Sequence, residues 1–116
     1  MPYDTQLADR VRQYLQKKPD LQLEEKTMFR GLAFMVNGKM CVNVSGDNLM
    51  CRFDPALEEK LAEQPGYEPM MMKGKVYRGY CYVTPEVLRT AKALAYWIDI
   101  CLAFNDTAKA SKKKKA

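Results

Sequence analysis

Near the start of the chain, Leu7, Val11, Tyr14 and Leu15 recur at helical spacing behind Asp4, a residue suited to capping a helix N-terminus. The pattern predicts a helix over residues 4–17, stopped by Pro19, with Lys17 and Lys18 at its negative end. An extended stretch over 21–25 leads into apolar runs at 27–36, 39–44 and 48–53, which read as three strands. Asn37-Gly38 between the first two is a hairpin signal, because a type I′ turn needs two residues that tolerate positive φ. Ser45-Gly46-Asp47 marks the next reversal. Asp54-Pro55 then opens a second helix, with Leu57 and Leu61 inward. Strands at 68–72 and 75–83 follow, joined through Lys73-Gly74. Thr84-Pro85-Glu86 opens a third helix. Its apolar stripe (Val87, Ala91, Leu94, Ala95, Ile98, Leu102), widened by Trp97, Cys101 and Phe104, makes it the most buried element. This order predicts an α+β fold in two layers, α-β-β-β-α-β-β-α, with helices on one face of a five-stranded antiparallel sheet.

Hairpin register assigns side chains to faces, since they alternate along a strand. A two-residue Asn37-Gly38 turn sets Val36 against Lys39 and Met35 against Met40. With Val44 against Leu49, the core face gathers Phe29, Ala33, Met35, Met40, Val42, Val44, Leu49, Cys51 and Phe53. The outer face gathers Arg30, Leu32, Phe34, Lys39, Cys41, Asn43, Met50 and Arg52. In the second hairpin Met70, Met72, Tyr77, Gly79, Cys81 and Val83 are assigned inward, and Met71, Val76, Arg78, Tyr80 and Tyr82 outward. The outer face thus offers one candidate binding constellation: Arg30, Phe34, Met50, Arg52, Arg78 and Tyr80. Arginine among aromatics suits a protein interface, or bidentate pairing with phosphate or carboxylate.

Composition removes several function classes. The 116 residues suit one domain, and no apolar run approaches the roughly 20 residues that cross a bilayer. The first residues lack the pattern of a signal peptide, so a cytoplasmic protein without membrane insertion is expected. The chain has no histidine, which rules out Ser-His-Asp and Cys-His sites and histidine-held metals. Cys41, Cys51, Cys81 and Cys101 form no C-x-x-C pair and read as reduced, buried hydrophobes. Two of the four are assigned to opposite faces, which speaks against a shared zinc. The sequence therefore predicts no catalytic residue, metal or cofactor, and a protein that is not an enzyme.

The net charge of +5 belongs to residues 108–116, a lysine-rich tail expected to be disordered. Without Lys109 and Lys112 to Lys115, fourteen basic residues stand against fourteen acidic ones. Residues 1–107 thus form a formally neutral domain, without a general nucleic-acid footprint.

The segment Met28-Phe29-Arg30-Gly31-Leu32-Ala33-Phe34-Met35-Val36-Asn37-Gly38-Lys39-Met40 resembles the N-terminal domain of the TfoX/Sxy family. The likeness continues through Val44 to Arg52, resumes at Met72-Lys73-Gly74-Lys75 and Arg78-Gly79-Tyr80, and ends in the Trp97 helix. Arg52 and Arg78 match arginines of the family pattern, whereas Arg30 stands where a glycine is common. The resemblance implies a fold similar to secretion chaperones, in a single-domain relative of bacterial competence regulators. The expected function is a non-catalytic regulatory or adaptor domain that contacts a protein partner or forms a homodimer. The alternative is nucleic-acid or phosphate-ligand binding through the arginine–aromatic face and the lysine tail.

Overall fold

The structure, a computed structural model, describes residues 3–18, 21–28 and 31–107. Asp4 caps helix α1 (Thr5–Gln16), its carboxylate accepting from the N–H groups of Gln6 and Leu7 at 2.9 and 3.2 Å. Strands β1 (Leu23–Met28), β2 (Gly31–Val36), β3 (Lys39–Ser45) and β4 (Asn48–Arg52) follow. A short 3-10 turn, Pro55–Leu57, leads into α2 (Glu58–Leu61), and then come β5 (Tyr67–Met72), β6 (Lys75–Val83) and α3 (Ala91–Thr107). The strands form one antiparallel sheet in the order β1-β2-β3-β4-β6-β5.

The sheet has six strands, not the five expected. The apolar run at 27–36 is divided: Leu23–Met28 pairs back on Gly31–Val36, with Met28 opposite Gly31. The side chains of all three helices join one core on one sheet face. It contains Leu7, Val11 and Leu15 from α1, Leu61 from α2, and Leu94, Trp97, Ile98 and Cys101 from α3, against Val42, Val44, Leu49, Phe53 and Val83. Helix α3 begins later than its sequence suggested. Thr84-Pro85 leads into a separate 3-10 turn, Val87–Arg89, and Thr90 caps α3 by accepting from Ala93 N–H at 3.1 Å.

Two bulges rearrange the faces. The Asn37-Gly38 turn sets Val36 against Lys39 and Met35 against Met40 as predicted, yet Phe34 lies opposite Val42, leaving Cys41 extra on β3. Everything on β2 beyond the bulge changes sides. Leu32, Phe34 and Cys41 face the helices, while Ala33, Met35 and Met40 face away. On β6 the register moves from Pro69–Cys81 to Met71–Val76, so β6 carries extra residues around Gly79. Gly79 has φ +87°, and a Cβ there would stand 3.2 Å from Pro55 and 3.3 Å from the Phe53 carbonyl. Its own N–H donates to Glu58 and its carbonyl accepts from Phe53 N–H.

The first edge strand is fastened to α1 by charge. Arg12 donates to both carboxylate oxygens of Glu25, at 2.8 Å for the Nη2–Oε1 bond, and also pairs with Asp9. Hydrogen bonds from Arg12 hold the Glu25 carboxyl below its ordinary value. A carboxylate depressed in the folded state contributes above its unfolded value and is lost as pH falls through the lower folded one. Both side chains are about one-third exposed, so solvent screening limits the pair to about 0.2–1 kcal/mol. Glu25→Gln should therefore lower the melting temperature slightly at pH 7, with no difference from the native chain in acid below the glutamate range. Equal loss at both pH values would show that the charge is not what matters.

Candidate functional site

The structure disperses the constellation expected on the outer face. Arg30 lies outside the described residues. Phe34 is buried on the helix side, with the Arg12 guanidinium 5.9 Å from its ring centroid. Arg52 closes β4 and turns its guanidinium onto Phe104 of α3, 5.5 Å from the ring centroid. Met50 does face away from the helices, but it is fully buried in a small cluster with Ala33, Met40 and Met70. Tyr80 flanks that cluster with Met35 and Tyr82. Arg78 is exposed, near the carbonyl of Pro55 at 3.5 Å.

Of the predicted residues, the structure keeps Arg78 and Tyr80 near one another and places them on the β5–β6 hairpin. Met72 pairs with Lys75 across the two-residue Lys73-Gly74 turn, both turn residues having positive φ. Five large hydrophobic side chains are exposed among the described residues, and three of them, Met71, Val76 and Tyr77, share this hairpin. Met71 and Val76 are directly opposed, so their side chains lie on one face. Tyr77, assigned inward by strict alternation, is instead 46% exposed and stacked on Tyr80, with centroids 4.8 Å apart. The bulge at Gly79 is the physical reason, because it breaks the alternation between 77 and 81.

The same arm is basic. Lys73, Lys75 and Arg78 are exposed, none makes an ion pair among the described residues, and the sequence holds no acid between Glu68 and Glu86. Edge strand β5 carries Pro69, which has no N–H to offer another strand. The arm therefore presents side chains more readily than an open ladder. Sequence reasoning found Arg78 and Tyr80, and assigned Met71 and Val76 outward without including them in the binding constellation. The signal it lacked was that every residue from Lys73 to Arg78 is exposed.

All four cysteines are buried in the helix-side core, correcting the expectation that they divide between faces. Cys51 lies opposite Cys81 across β4 and β6, and its thiol donates to the Leu49 carbonyl at 3.9 Å. Burial pushes the Cys41 and Cys51 thiols well up, which keeps them protonated and unreactive. Among the described residues no group of three or more His, Cys, Asp or Glu is disposed to hold a metal ion. A cavity of about 290 Å³ lies between Pro65, Val87, Tyr96 and Trp97, with Lys92 at its lining. It contains no acid to pair with that lysine in proton transfer.

Comparison with known families settles the relationship: the TfoX N-terminal domain matches residues 15–105, most of the chain and every strand of the sheet. The chain belongs to the TfoX N-terminal domain family. No curated protein and no solved structure matches it. TfoX membership is that of a regulatory-type domain. The matched span includes the whole β5–β6 arm of this TfoX domain. No helix among the described residues is long and apolar enough to cross a membrane.

Proposed function

We propose that this TfoX domain is a non-catalytic regulatory or adaptor module of the cytoplasm that works by gripping a protein partner with its β5–β6 arm. The observation that carries this reading is the grouping of Met71, Val76 and Tyr77, each about half exposed, on one hairpin. Apolar side chains held in water at one place gain free energy when another surface covers them. Methionine and tyrosine suit such contacts, the first by its adaptable chain and the second by its large, stiff ring. Met71 and Val76 offer nothing to a phosphate backbone, which favours protein over nucleic acid.

The test is the double variant Met71→Asp, Tyr77→Asp. Both side chains are exposed, so the melting curve should stay within about 0.5 kcal/mol of native. Complexes that co-purify with the native chain, or a dimer in sedimentation, should be lost from the variant. If both proteins keep the same complexes and the same sedimentation behaviour, the arm is not the contact.

A further inference from the structure

We infer that the β5–β6 arm receives an acidic, apolar segment of a different protein. This rests on the reading of the arm as a protein contact and adds the chemistry of what it contacts. Ion pairs elsewhere join Arg12 to Asp9 and Glu25, and Lys18 to Asp99, while exposed Lys17, Lys26, Lys60, Arg89 and Lys92 have none among the described residues. What sets the arm apart is three cations within Lys73 to Arg78 and no acid between Glu68 and Glu86. On the arm Lys73, Lys75 and Arg78 have no ion pair among the described residues. The nearest acids, Glu58 and Glu68, sit at its base, where Glu58 accepts from Gly79 N–H and Glu68 lies opposite Tyr82.

Unmatched charge of one sign beside exposed apolar groups selects against most occupants. A second copy meeting arm to arm would set three cations against three, and like charges in contact oppose association. A basic or neutral peptide would leave the arginine and lysines unpaired as they lose water. A single-stranded nucleic acid could stack a base on Tyr77 and pair with the cations, but it would leave Met71 and Val76 uncovered by apolar contact. An acidic segment with large apolar side chains satisfies both. Its carboxylates pair with Lys73, Lys75 and Arg78, and its apolar groups cover Met71, Val76 and Tyr77. Arg78 is the best of the three cations for this, since a guanidinium can hold a carboxylate through two hydrogen bonds.

Selection from a display library of short random peptides tests this with the full chain as bait. The expected winners combine Asp or Glu with Leu, Phe or Met. They should weaken at least roughly tenfold against Lys73→Glu, Lys75→Glu, Arg78→Glu, and also in high salt, which screens exposed pairs. The triple variant should itself select basic peptides. Neutral or basic winners on the native arm, blocked by Met71→Asp, Tyr77→Asp, would overturn the acidic chemistry and leave the arm as a protein contact. Acidic winners indifferent to that double variant, or lost when Lys109 and Lys112 to Lys115 become glutamine, would place binding elsewhere and overturn both. An empty selection, or a single-stranded oligonucleotide that displaces every peptide from the arm at equal charge, would also overturn the inference.

Discussion

Gly31→Ala should remove at least about 3 kcal/mol, a large share of the stability of an ordinary domain. Gly31 opens β2 opposite Ser45. A Cβ built on it would stand 2.0 Å from the Val44 carbonyl oxygen and 2.6 Å from Asn43 Oδ1. The first of these atoms is main chain in the neighbouring strand, so no rotamer change relieves the clash. Either β2 moves off β3 at this end or the carbonyl turns away, and both cost ladder hydrogen bonds in the buried part of the sheet. Urea denaturation monitored by circular dichroism measures the loss. A change below about 1 kcal/mol would mean that the two strands separate more easily here than close-packed interiors allow.

Trp97→Ala should cost about 3–5 kcal/mol, as for other buried large aromatics. Trp97 is 2% exposed in the middle of α3 and meets Tyr96 edge to face, with centroids 5.5 Å apart. It is the only tryptophan, and it already borders the cavity beside Pro65 and Val87, so truncation enlarges an opening that the fold tolerates. Some of the lost contact is then recovered by water, which argues for the lower end of that range. Chemical denaturation followed by far-ultraviolet circular dichroism distinguishes a loss of this size from one under 1 kcal/mol, which would place α3 outside the core.

The sequence announced its local chemistry well and its long-range geometry poorly. Asp4 and Asp54 cap where their position before apolar runs said they would. Asn37-Gly38 fixes the turn and the first two residue pairs, and Val44 does meet Leu49. Thr84 misled, because Thr-Pro-Glu is a sound helix opening in isolation, yet the chain turns again at Thr90 before α3 begins. The candidate site suffered most. One extra residue at Cys41 sends Phe34 into the core, and no residue type marks that position, since cysteine sits equally well in a regular strand or a bulge. Gly79 did carry a signal. An isolated glycine within a strand often marks a bulge, and this one re-aims Tyr77 into solvent. The sixth strand was legible only as an extended stretch, because its charged side chains show no apolar alternation. It is held by pairing with β2 and by Arg12.

The C-terminal end of α3 is tied to the start of β3: Lys39 Nζ donates to the Asn105 carbonyl at 2.6 Å, and Asn105 Nδ2 to the Lys39 carbonyl at 3.4 Å. Strands β3 and β6 both run antiparallel to β4, so Lys39 and Lys75 begin their strands at the same pole of the sheet. Helix α3 therefore ends at the pole where the arm stands, and Arg52 lies there too. Residues 1–107 are neutral in sum, yet their charge is uneven along the fold, with Lys73, Lys75 and Arg78 gathered on the arm. An approaching polyanion feels a torque before it feels a contact, and the domain meets it arm first.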